Sequence, residues 1–257
     1  MFLFAMFHPI LILMAVVPAI ILMVYVYKAD KLEKESPRLI KNLVLWGILS
    51  TALAACTEYL GELILSNIMP MENKAYDFIL YFVIVGLSEE GFKYLVLKKR
   101  TWKNKEFNCQ FDGVVYAVFV SLGFALWENI KYVFTYGFGT ALVRAVTAVP
   151  GHACFGVFMG VWYGLAKWMS KHGRRAESKT CRILAVIIPT LIHGCYDYLA
   201  TRTDEKYSWI FLIFIAAMFA VAFLLVKKCS EKDRYLVDVG YVDKFGNFIE
   251  IDTEDED

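Results

Sequence analysis

The 257-residue sequence has no Cys-x-x-Cys pair, no His-Glu-x-x-His and no Gly-x-Ser-Gly. The first absence argues against cysteine metal cages. The six cysteines, Cys56, Cys109, Cys154, Cys181, Cys195 and Cys229, fall mostly in or beside apolar runs, where cysteine acts as a small apolar residue, so no disulfides are expected. The second and third exclude a zincin-type site and a serine site of the rhomboid kind; a paired-aspartate arrangement of the presenilin kind is missing as well. With four histidines in the whole chain, of which His8 and His172 sit near the ends of apolar segments, acid-base chemistry must rest on glutamates and His152 and His193. No internal repeat is visible, and no low-complexity segment precedes the acidic C-terminal end. Basic residues are scattered over segments flanking apolar runs, which excludes a nucleic-acid module.

Long apolar runs are what the sequence does have. It is 58% hydrophobic and 16% aromatic, with a mean hydropathy of +0.49, well above a soluble domain. A membrane crossing needs about 20 predominantly apolar residues, and seven segments qualify: Ala5 to Tyr27, Asn42 to Ile68, Ala75 to Leu97, Phe111 to Phe134, Ala141 to Trp168, Cys181 to Leu199 and Tyr207 to Val226. The expected fold is an all-α, polytopic membrane helical bundle of about seven transmembrane helices. Residues 1–227 form one transmembrane domain, with a core at about 75–200, and residues 228–257 an acidic, disordered tail.

Charge supplies the topology. Connections rich in Lys and Arg (Lys28 to Lys41, Lys98 to Lys105, Lys171 to Lys179, and Lys227 with Lys228) alternate with connections that have few or none (Lys74; Thr135 to Thr140; Arg202 and Lys206). Under the positive-inside rule this places the N-terminus outside and the C-terminus in the cytoplasm. The first run is too long for a signal peptide and has no basic residue before it, so it is expected to stay as an anchor. Asp252 to Asp257 include five acids and read as a solvated end.

Polar residues inside these runs need a reason, because a charged residue at a helix centre costs roughly 2.5–3.5 kcal/mol on insertion scales. Span three carries Glu89-Glu90-Gly91-Phe92-Lys93. Adjacent helical positions lie about 100° apart, so the two carboxylates cannot aim at one point. Lys93 stands four residues after Glu89 and three after Glu90 and can pair with either. A structural Glu–Lys bridge competes with a general base here. Span four opens at Asp112, which can cap the helix, and carries Glu128-Asn129 near its other end; Glu128 can line an aqueous entrance or pair with Arg144. Span five reads Pro150-Gly151-His152 and continues with Gly156, Gly160 and Gly164, a spacing that lets helices approach closely. His152 shares that stripe and so points into the bundle, and Pro150 is expected to open the helix beside it. In span six, His193 and Asp197 lie four apart on one face, where Asp197 can orient the ring. Glu58 and Glu62 share a face of span two and are left outside the chemistry.

Together, Glu89-Glu90-x-x-Lys93, the stretches 111–116 and 122–129, Gly-His-Ala-Cys-Phe-Gly (151–156) and His-Gly-Cys-Tyr-Asp (193–197) resemble the PrsW family of bacterial intramembrane proteases. That family is distantly similar to CAAX prenyl endopeptidases and bacteriocin-immunity-type membrane proteases. The resemblance covers residues 75 to 200, and four motifs in order on four spans make it specific. It implies a multi-pass protein of the bacterial cell membrane whose glutamate-dependent hydrolysis makes the first cut in a membrane-anchored anti-sigma factor. Carried over, the Glu pair supplies the base, His152 helps hold the water, and His193 and Asp197 stabilise the oxyanion. Lys93 is one residue closer to the second Glu than the CAAX pattern places its basic residue, which leaves open which Glu is the base, with Glu89 preferred. Asp197 stands where the CAAX pattern has Asn, so it is either protonated or orients His193.

The expectation is a glutamic intramembrane endopeptidase with catalytic Glu89, Glu90, His152, His193 and Asp197, supported by Lys93, Glu128, Asn129 and Asp112. No cofactor is required; a zinc site on Glu89, His152 and His193 is the alternative within enzymes. The rival class is a transporter or proton relay, and a non-catalytic sensor is the blandest reading.

Overall fold

The computed structural model describes residues 2–237, 240–242 and 248–250, with side chains described from residue 12 to residue 237 except Lys74. Helices α1 (Phe2–Ala29) and α2 (Pro37–Ile68) are followed by α3 (Lys74–Phe78), which runs through a π-helical stretch, Ile79–Val85, into α4 (Gly86–Thr101). Then come α5 (Asp112–Tyr136), α6 (Phe138–Val146), α7 (Ala148–Lys171), α8 (Arg175–Ala200) and α9 (Glu205–Glu231). A two-stranded antiparallel pair, β1 (Gly240–Val242) and β2 (Phe248–Glu250), lies beyond α9.

Six helical segments among the described residues are long and apolar enough to cross a membrane, α6 and α7 acting as one of them. The rod from Lys74 to Thr101 covers the remaining expected segment and carries Glu89, Glu90 and Lys93. Each of the seven expected segments is therefore helical. Local signals set their ends. Ser36 caps α2 through its side chain, accepting from the Leu39 amide at 3.2 Å, with Pro37 in the first turn where its missing N–H is no loss. Lys98, Lys99 and Arg100 close α4, and Gly137, at φ 81°, ends α5 in a conformation that favours glycine.

Helix α5 is the axis of the bundle, packed against α7, α2, α1 and α4 and buried on all sides from Asp112 to Ala125. Lipid tails are as apolar as leucine, so helices in a membrane gain by close packing rather than by hiding from solvent. Glycines provide the approach. A Cβ at Gly160 would lie 2.4 Å from Val114 Cα, one at Gly164 2.2 Å from Gln110 O, and one at Gly47 2.3 Å from Val120 O. The stripe at 156, 160 and 164 thus faces α5, as its spacing implies. Gly160→Ala is expected to force α5 and α7 apart and lower the melting midpoint by several degrees. Gly91→Ala, with nothing within 4 Å of the added carbon, is expected to leave it unchanged or slightly higher; differential scanning fluorimetry in detergent checks both.

Three local expectations differ from the structure. The break in span five falls at Thr147 (φ −119°, ψ −64°), between α6 and α7. Pro150 sits in the first turn of α7, where no helical hydrogen bond is lost. Asp112 does not cap α5 by its own side chain; its Oδ2 accepts from the backbone amides of Asn108 (3.0 Å) and Cys109 (2.7 Å), tying down the loop before the helix. The tail expected to be disordered from 228 instead continues α9 to Glu231 and packs back. The Phe111 amide donates to Asp233 Oδ1 at 2.8 Å, the Leu236 amide donates to Asn108 O at 2.7 Å, and Leu236 is buried. An apolar anchor and backbone pairing order that segment despite its charge. Asp252 to Asp257 lie outside the described residues, as does the side chain of His8.

Candidate active site

The polar residues of four spans converge between α4, α5, α7 and α8. The π-helical stretch prepares this. Its widened turn, with the Gly86 amide bonded to Tyr81 O, re-phases the helix just before Glu89. Glu89, Glu90 and Lys93 then all face inward and are buried. The Lys93 ammonium donates to Glu90 Oε1 at 2.7 Å, to Glu89 Oε2 at 3.1 Å and to His152 Nδ1 at 3.0 Å. It also lies over the Phe124 ring, 4.2 Å from its centroid. So both glutamates hold the one lysine, and the Glu–Lys pairing seen in the spacing is real.

Partners fix the state of His152. An ammonium can only donate, so Nδ1 must be the acceptor; Nε2 therefore carries the hydrogen and donates to Glu128 Oε2 at 2.7 Å. Glu128 also pairs with Arg144 of α6 at 3.0 Å. Asn129 completes this arm, accepting from Arg144 Nε at 3.0 Å and donating to Ala15 O of α1 at 3.1 Å. Of the two roles open for Glu128, the structure makes the Arg144 pair and adds the histidine.

His193, from α8, stands on the other side of the glutamates. Its Nδ1 donates to Glu90 Oε1 at 3.0 Å. Its Nε2 lies 3.4 Å from Asp197 Oδ2 and 3.9 Å from Glu89 Oε2, close enough for attraction but not committed to either. Phe155 stacks on the ring at 4.6 Å and 20°, holding its plane. Glu89 and Glu90 differ in access. Glu90 is wholly enclosed, and its Oε2 has no partner; Glu89 is 5% exposed, at the rim.

Eight of the nine expected residues therefore form one network. Asp112 is the exception, about 24 Å from Glu128 along α5 at 1.5 Å per residue. Glu58, which spacing alone leaves outside the chemistry, lies within electrostatic range of Glu89, Glu128, His193 and Lys93, with a buried Oε1 that lacks a partner. Glu62, one turn on, is exposed. Helical spacing put both on one face and gave no reason to separate them.

A metal can be tested against these side chains. Glu89, Glu90 and His152 each offer a ligand atom within 4.8 Å of the others, and their chemistry suits zinc. The alternative set with His193 as third ligand is not the one that clusters. Yet Lys93 Nζ already touches all three groups at 2.7–3.1 Å. Zinc bonds of about 2.0–2.2 Å would need the same point in space, so the residues as arranged do not fit a metal.

The sequence pattern of the family described as PrsW family intramembrane metalloprotease matches residues 35–226. The chain is 31% identical to Protease PrsW of Oceanobacillus iheyensis over 84% of this chain and 94% of that one. Against Protease PrsW of Clostridioides difficile it is 32% identical, covering 80% and 84%, and against that of Bacillus subtilis 29%, covering 87% and 96%. No solved structure matches.

Proposed function

The chain belongs to the PrsW family of intramembrane proteases, a multi-pass bacterial membrane protein, and from that premise we propose that Glu89 activates the water that hydrolyses its substrate, without a metal. One observation carries this reading: a buried ammonium holds the centre of the Glu89, Glu90 and His152 donor set. That arrangement sets a positive charge beside both carboxylates and leaves Glu89, at the rim, as the accessible base.

The water sits between Glu89 Oε2 and His193 Nε2, whose 3.9 Å separation leaves the ring N–H uncommitted. Glu89 takes a proton as the water oxygen bonds to the peptide carbonyl carbon. His193, an imidazolium because its Nδ1–H is already given to Glu90 Oε1, donates its Nε2–H to the carbonyl oxygen as that oxygen gains charge. The C–N bond then breaks, and the proton on Glu89 passes to the leaving nitrogen, giving an acid and an amine. Glu90 positions Lys93 and the Nδ1 side of His193. His152 spends both ring nitrogens on Lys93 and Glu128, so it acts as a positioning residue rather than a water ligand. Asp197 orients His193. The transporter reading yields to the protease family, whose relatives are named for cleavage.

The substrate is a membrane-anchored protein, and we assign it to the anti-sigma class on the family resemblance. With the N-terminus outside, as the alternation of basic connections predicts, the site opens to the outer half of the bilayer, and cleavage is expected there. The test is release of a fragment from reporters carrying anti-sigma membrane segments, by purified protein with and without a zinc chelator. Release that survives chelation, with less than about 0.1 equivalent of bound zinc, is the expected result. Release lost to chelator and restored by zinc would move the site to the metal reading, with Lys93 displaced.

A further inference from the structure

At the other end of α5, three carboxylates meet from three parts of the chain: Asp30 just past α1, Glu35 in the connection to α2, and Asp112 in the first turn of α5. One ligand oxygen from each lies within 4.8 Å of the others, and the residues are 1%, 4% and 0% exposed. Asp30 Oδ1 and Oδ2, Glu35 Oε2 and Asp112 Oδ1 have no hydrogen-bond donor. The second observation does not come from an acid. The Tyr116 hydroxyl, 0% exposed and one turn on from Asp112, is aimed at the Glu35 carboxylate, yet closes no hydrogen bond. Asp233 Oδ2 adds a further unpartnered oxygen nearby. Lys34, the cation Asp30 feels most, commits its ammonium to the backbone carbonyls of Tyr27 and Asp30 instead.

Buried acceptors with nothing to accept are costly, and adjacent carboxylates repel. We propose that Asp30, Glu35 and Asp112, completed by the Tyr116 hydroxyl, bind a hard divalent cation, Mg²⁺ or Ca²⁺, which ties the end of α1 and the α1–α2 connection to the start of α5. Two oxygens on one ion lie at most twice the metal–oxygen distance apart, roughly 4–5 Å for bonds of 2.0–2.6 Å, which the cluster satisfies. The donors are all oxygen, with no histidine or thiolate among them, so zinc and copper are disfavoured. Helix α5 carries Glu128 at its far end, but nothing in this site touches the Glu–His–Lys network, so the cation is a structural clamp.

The experiment uses the full chain in neutral detergent, stripped with EDTA, at pH 8. The melting midpoint is followed against MgCl₂ and CaCl₂ separately, with NaCl matching ionic strength. A saturable rise of at least about 4 °C is expected in the wild type, and the salt that saturates at lower concentration identifies the ion. Asp30→Asn and Glu35→Gln are expected to abolish the rise. Since removing a charge relieves repulsion, Asp30→Asn should melt no lower than cation-free wild type, which separates loss of the site from failure to fold. No rise beyond the NaCl control, or an equal rise in both variants, overturns the proposal.

Discussion

Glu89→Gln is expected to reduce cleavage by at least about 10³-fold while leaving the melting midpoint within about 2 °C of wild type. Removal of a general base costs roughly 10²–10⁴-fold. The amide of glutamine can still accept from Lys93, whose main partner is Glu90 at 2.7 Å, so the packing survives. Glu90→Gln makes the informative contrast. Its amide oxygen can still receive the Lys93 and His193 hydrogens that Glu90 Oε1 receives now, and its other atom faces no partner. Its loss should be at least about tenfold smaller than that of Glu89→Gln. Cleavage of a membrane-anchored reporter, normalised to folded protein, measures both. Equal activity of Glu89→Gln and wild type would remove Glu89 from the chemistry. A larger loss at Glu90 would exchange the roles of base and anchor.

Lys93→Met should carry the largest stability penalty of any single change in the site. The lysine is wholly buried and bonded to two carboxylates and a histidine. Breaking a buried pair by removing one partner typically costs about 3–5 kcal/mol, because the other charge stays behind unpaired. Here two charges stay behind, and His152 Nδ1 loses its donor. The folded yield is expected to collapse or the melting midpoint to drop by 10 °C or so. Lys93→Met with Glu90→Gln removes one charge of each sign and should recover a large part of the loss. A double variant as unstable as the single one would show that the lysine acts through packing on Phe124 rather than through charge.

The bundle was readable because its causes are local. A run of about 20 apolar residues and an alternating supply of lysine and arginine follow from the cost of backbone and charge in hydrocarbon, wherever the run sits in the chain. The glycines at 156, 160 and 164 declare a contact face through helical period alone. The same period placed Lys93 within reach of both glutamates, and the cost of burying charge marked Glu89, Glu90, His152 and His193 as inward residues.

Only tertiary structure decided what those residues meet. The Lys93–His152 bond joins residues 59 apart, and no spacing rule spans that distance. It turned His152 from a presumed holder of water into the neutral partner of an ammonium, and it put a lysine where a metal would stand. Glu58 and Asp112 exchanged standing for the same reason: which end of a helix a polar residue serves depends on what packs beside it. The carboxylates of Asp30, Glu35 and Asp112 show this most plainly. In sequence they sit in a basic connection and at a helix start, each ordinary alone. Folding brings them to one buried point, because α1 and α2 both pack on α5. Hydropathy and helical period act over a few turns and so can be read along the chain, whereas a site made by the meeting of four helices is fixed by the packing between them.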